Sequence, residues 1–78
     1  MDAEETQAIE QLLGADSTLA RQKAGLKRLG EMLEESYILN LPPSPKTFEA
    51  LAKYARKTKA DKTLKAKAKR LCDRYKLR

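Results

Sequence analysis

The stretch KTFEALAKYARKTKADKTLKAKAKRLCDRYK, residues 46–76, decides the fold. At ~100° per residue, Leu64, Ala68, Leu71 and Tyr75 fall on one narrow helical face with Cys72 at its edge. Lys62, Lys65, Lys67, Lys69, Arg70, Arg74 and Lys76 fill the rest of that helix. Residues before it repeat the pattern: Phe48, Leu51, Ala52 and Ala55 cluster, while Lys53, Arg56 and Lys57 point outward. Each stripe is about as long as a bundle helix, and folding back buries one against the other. The spacing therefore predicts a helix from Pro45 to about Thr58, a turn over residues 57–61, and Asp61 as N-cap of the last helix.

Upstream residues read as what these two helices pack against. Asp2 and Glu5 have the spacing of a capping box. A helix from Ala3 would present Ile9, Leu12 and Leu13 and stop near Gly14. Asp16 or Ser17 offers the next N-cap, and a helix from about Thr18 to Glu35 gathers Leu19, Leu26, Leu29 and Leu33 on one face. Gly30 sits inside that face, where it would admit a neighbouring helix. Tyr37 to Leu41 forms an apolar cluster too short for an independent helix. Leu41-Pro42-Pro43-Ser44-Pro45 then reads as a tight corner, since each proline turns the residue before it away from helical angles. Pro45 is suited to the first position of the helix that Ser44 would cap. The expectation is an all-α, compact four- to five-helix bundle with a proline corner before the last two helices.

Seventy-eight residues make one domain, residues 1–78, with a small core. Hydrophobic content of 41% with only 5% aromatic suits a core of Leu and Ala, and the absence of valine argues against a sheet. The single cysteine, Cys72, cannot form an intramolecular disulfide, which suits a reducing compartment. No apolar run approaches the ~18 residues of a membrane span, and the acidic residues 1–10 do not resemble a signal peptide. The net charge of +6 is divided: residues 1–43 carry four basic and eight acidic side chains, residues 44–78 thirteen basic and three acidic. A field of one sign over the C-terminal half attracts acidic partners, whether phosphate backbones or Asp/Glu-rich protein segments.

Catalytic chemistry finds few residues to use. With no histidine and one cysteine, neither a zinc site nor a Ser-His or Cys-His nucleophile pair can be assembled. Glu4, Glu5, Glu10, Glu31, Glu34 and Glu35 lie where a solvated helix surface would put them, and no Gly-rich phosphate loop accompanies them. The expectation is a protein that is not an enzyme and needs no metal or cofactor.

From Leu26 onward the chain resembles the N-terminal domain of transcription elongation factor S-II, a helical bundle shared with elongin A and a Mediator subunit. Leu26-Lys27-Arg28-Leu29 is similar to that family's L-K-K-L helix, with Ile38-Leu39 at the family's distance. Lys46-Thr47-Phe48 and Leu51-Ala52-Lys53-Tyr54 sit where the family has G-K-x-V and L-R-K-H. Residues 68–76, AKRLCDRYK, resemble its terminal A-K-x-L-x-x-x-W-K. Tyr75 replaces the family's tryptophan, Ala52 its arginine and Tyr54 its histidine, Ser44-Pro45 replaces a glycine-containing turn, and the segment between Leu51 and Ala68 is several residues longer. The resemblance spans residues 26–76.

What the resemblance implies is a protein-interaction module of the transcription elongation machinery; the nucleus is the expected compartment and a monomer the expected state. It would dock disordered protein segments with Phe or Leu anchors and acidic residues. On it, the partner-binding set is Lys46, Phe48, Leu51, Lys53, Tyr54, Arg56, Lys57, Leu71 and Tyr75. The plain alternative for the apolar members is that they are core, as most helical stripes are. The alternative function is nonspecific nucleic-acid binding through Lys59, Lys62, Lys65, Lys69, Arg70, Lys76 and Arg78; no Asn or Gln on those helices is available to read bases. A third reading, dimerisation through the leucine face of residues 19–33, competes with internal use of that face.

Overall fold

The structure is a computed structural model that describes residues 2–42, 44–57 and 60–76. Those residues form four helices and no strand, as the all-α reading expects: α1 (Asp2–Leu13), α2 (Leu19–Ile38), α3 (Pro45–Ala55) and α4 (Lys62–Lys76). Helix α1 packs mainly on α2 and α3 mainly on α4, and the two pairs close on each other. Between them lie Ala8 and Leu12 of α1, Leu26, Leu29 and Leu33 of α2, Ala50, Leu51 and Tyr54 of α3, and Leu64, Ala68 and Tyr75 of α4. Each large apolar side chain buried there contributes ~1.5–3 kcal/mol.

The last two helices fold back as their stripes predict. Asp61 caps α4, its carboxylate accepting from the Leu64 backbone N–H at 3.1 Å. Helix α3 ends at Ala55, earlier than Thr58, and Thr58 itself lies outside the described residues. Its buried face is also rotated from the expected one. Thr47, Ala50, Leu51 and Tyr54 are buried, while Phe48, Ala52 and Ala55 are only half-buried. The reason is that α3 is covered from two sides, by α1 as well as α4, so the centre of burial falls between the two contacts.

Four further expectations are corrected. Helix α1 already includes Asp2, and Glu5 does not close a capping box on it. Glu5 is instead 6% exposed, and Thr47 donates its hydroxyl to the Glu5 Oε2 at 2.7 Å. The cap of α2 is Thr18, which accepts from the Arg21 N–H at 3.2 Å, rather than Asp16 or Ser17; the Ser17 hydroxyl turns back to the Gln11 carbonyl. Leu19, assigned to the apolar face, is 57% exposed, at the first residue of α2.

The Tyr37 to Leu41 cluster is no separate element. Helix α2 runs on through Ile38, then Asn40 takes a left-handed φ of 59°. Leu41 N–H donates to the Ser36 carbonyl at 2.8 Å and Asn40 N–H to that of Tyr37 at 3.1 Å, the paired bonds of a Schellman ending. Pro42 follows the helix and Pro45 opens α3; Pro43 lies outside the described residues.

Tyr54 ties three segments together. Its hydroxyl donates to Gln22 Oε1 at 2.8 Å, and Gln22 Nε2 donates to the Ser17 carbonyl at 3.0 Å. Burial pushes the phenol above its ordinary pKa, partly offset by a hydrogen bond from the Asp61 backbone. Tyr54→Phe keeps the ring and strands Gln22, so it should cost about 1 kcal/mol in a urea titration; an unchanged midpoint would show that water replaces the bond without loss.

Candidate functional site

Along α2, residues 23, 26, 27, 30, 31 and 34 recur at three- and four-residue steps and so share one face. On α4 the same holds for residues 64, 67, 71, 74 and 75. These two faces wall a groove of about 310 Å³, small beside a cofactor site and suited to one or two side chains. The half-buried Leu71 supplies most of its apolar surface, over a floor of the buried Leu26, Leu64 and Tyr75. Gly30 opens the wall of α2: a Cβ there would lie 3.2 Å from Leu71 Cδ1. Gly30 thus admits a neighbouring helix side chain, as expected, and also leaves room beside it.

Lys23, Lys27, Lys67 and Arg74 stand around this groove, together with Glu31 and Glu34. Among the described residues the ion pairs are those of Arg28, with Glu4 and, at 3.6 Å, with Glu31. The groove's four cations are therefore not neutralised by a close carboxylate. Arg74 lies over the Tyr75 ring, 5.5 Å from its centroid, a cation–π arrangement.

The groove continues onto an apolar tip. Tyr37 meets Tyr75 edge to face, with centroids 6.0 Å apart and planes at 67°. Ile38, 72% exposed, and the exposed Leu39 and Leu41 follow. Four large apolar side chains in five positions, standing in water beside an apolar groove, are the kind of surface that marks an interaction site.

The predicted partner-binding set is divided by the fold. Leu71 and Tyr75 line the α2/α4 groove. Lys46 and Lys53 stand at a different cleft of about 260 Å³, between α1 and α3, with Ile9, Leu13, Glu49 and Ala50. Leu51 and Tyr54, expected in the partner-binding set, are in the core, 0% and 1% exposed, and Tyr75 is itself only 5% exposed. Phe48 is half-buried, its carbonyl 3.9 Å from Cys72 Sγ, and Arg56 and Lys57 are exposed beyond the end of α3. What the sequence reading missed is the α2 wall. The signal was present as the Lys23/Lys27 pair one turn apart beside Leu26 and Gly30, but nothing in one sequence says which helix lies opposite.

Of the predicted nucleic-acid set, Lys62, Lys69 and Arg70 are exposed and Lys65 is half-buried. At ~100° per residue Lys62, Lys65 and Lys69 fall on the side of α4 opposite the groove. Lys59, Arg78 and the side chain of Lys76 lie outside the described residues. Among the described residues no three His, Cys, Asp or Glu gather as a metal site, and no helix is long and apolar enough to cross a membrane. Comparison with protein-family models, curated proteins and solved structures finds no match.

Proposed function

We propose that this chain is a protein-interaction module, without catalysis of its own, that docks short disordered segments combining a Phe or Leu anchor with acidic residues. The observation that carries this reading is the α2/α4 groove: an apolar slot beside Gly30, edged by cations without close carboxylates and continuous with the exposed tip at residues 37–41. An anchor buried there gains ~1.5–3 kcal/mol, and acidic neighbours are drawn in by the rim. Ordering the segment costs ~2–5 kcal/mol or more, so micromolar affinity is expected. The S-II resemblance points to elongation or chromatin partners in the nucleus. On this reading the protein acts as a monomer, and Pro42 and Pro45 stiffen the entry to α3.

The test is fluorescence anisotropy with a labelled acidic peptide carrying one Phe and one Leu. Lys27→Glu/Lys67→Glu should weaken binding by about tenfold, whereas Lys46→Glu/Lys53→Glu, at the other cleft, should change it little. Both variants should keep the wild-type helical circular dichroism, since all four lysines are exposed. Equal loss in the two variants would mean general charge attraction and would sink the groove assignment. The second reading, a nucleic-acid contact along Lys62, Lys65 and Lys69, is favoured by their shared face. It requires an affinity for duplex DNA that falls steeply with salt and that Lys62→Glu/Lys69→Glu removes.

A further inference from the structure

The groove is not uniformly basic, and its charges are sorted by position. Gly30 faces Leu71 and Tyr37 faces Tyr75, so α2 and α4 run in the same sense along it. Lys67 is one turn before Leu71 and therefore lies toward the Lys23/Lys27 end; Arg74, one turn after, lies toward Glu34 and Tyr37. One end thus holds Lys23, Lys27 and Lys67 with no acid. The other holds Glu34 and Glu31, the latter also paired with Arg28 at 3.6 Å, with Arg74 turned onto the Tyr75 ring.

We propose that the α2/α4 groove binds its segment in one direction, with acidic residues at the Lys23–Lys27–Lys67 end and a basic or neutral flank at the Glu31/Glu34 end. This rests on the docking reading above and adds the partner's charge order to it. Lys23 to Glu34 spans about 16 Å of helix, the length of about five extended residues. A segment of that length has its anchor beside Gly30 and Leu71 and its two flanks at opposite charges. Like charge at the Glu31/Glu34 end discriminates against a uniformly acidic segment, so specificity comes from repulsion as well as attraction.

Two synthetic peptides test this, both with Phe and Leu within a five-residue centre: one with Asp-Asp before and Lys-Lys after, one with Asp-Asp at both ends. The bipolar peptide should bind wild type roughly three- to fivefold more tightly, and Glu31→Lys/Glu34→Lys should reverse that order. A nitroxide on the acidic end of the bipolar peptide should broaden the amides of residues 23–27 and 64–67. Moved to the lysine end, it should broaden those of 34–38 and 74–75. Equal broadening at both ends, or a reversed pattern, overturns the direction while leaving docking in place. If neither peptide shifts any groove amide, the docking reading and the direction fall together.

Discussion

Gly25→Ala lowers the stability of the bundle by about 1–3 kcal/mol, whereas Gly30→Ala, five residues along the same helix, leaves it unchanged or raises it. Both glycines lie inside α2, where alanine is intrinsically favoured by about 1 kcal/mol. Their surroundings reverse the sign. A Cβ on Gly25 would meet the Ala8 carbonyl oxygen at 2.6 Å, Gln11 Cβ at 3.0 Å and the Leu12 nitrogen at 3.0 Å. Those are mostly backbone atoms of α1, so relief requires the two helices to part and to loosen the packing of Ala8, Leu12 and Leu26 between them. At Gly30 the contact is the end of the half-buried Leu71 side chain, which can rotate. Urea unfolding followed by circular dichroism measures both. A Gly25→Ala protein as stable as wild type would mean that α1 slides without cost, and would remove the reason for glycine at that position. Gly30→Ala should also narrow the groove, so peptide affinity should drop in a protein that has lost no stability.

Glu5→Ala is expected to cost about 1–3 kcal/mol, a large effect for an acid near the start of the chain. Its carboxylate reaches from α1 to the N-terminus of α3, where the Thr47 hydroxyl donates to it and Ser44 stands beside it. Ser44 occupies the N-cap of α3, yet its side chain makes no bond to that helix's own backbone. Glu5 supplies from another helix the negative charge that the end of α3 favours. Truncation leaves the buried Thr47 hydroxyl without its acceptor. The Ser44 and Thr47 hydroxyls, with Lys46 nearby, hold the Glu5 carboxyl below its ordinary value of 4.5 in spite of burial. The sign follows: folding favours the ionised form, so this contribution is complete above 4.5 and is lost as pH falls through the lower folded value. Wild type should therefore lose stability on acidification below about pH 4.5 more steeply than Glu5→Gln. Parallel pH curves for the two proteins would show that Glu5 titrates in the folded state as it does unfolded.

These two sites show where sequence reasoning reached its limit. In the sequence Glu5 has only local roles, as a partner for Asp2 or a solvated acid, and nothing singles out Gly25. Their consequences come from α1 crossing α2 and α3, which residues tens of positions apart bring about. The same holds for the candidate site. Leu71 and Tyr75 were legible as part of an apolar face, but their partners across the groove, Lys23, Lys27 and Gly30, belong to a helix whose own pattern marks only its buried side.

Helix content, the break before Asp61 and most of the core were determined by the sequence alone, because periodicity, caps and prolines act within a few residues of themselves. Leu26, Leu29 and Leu33, or Leu64 and Ala68, need any apolar neighbour, and their spacing already demands one. Which neighbour is decided by the tertiary structure. It placed Lys46 and Lys53 at one cleft and Leu71 and Tyr75 at another, and it buried Leu51 and Tyr54. A helical stripe has a direction only relative to its own axis. The rotation of that axis against its neighbours, which turns a stripe into core, groove or exposed tip, is settled by the packing of all four helices at once.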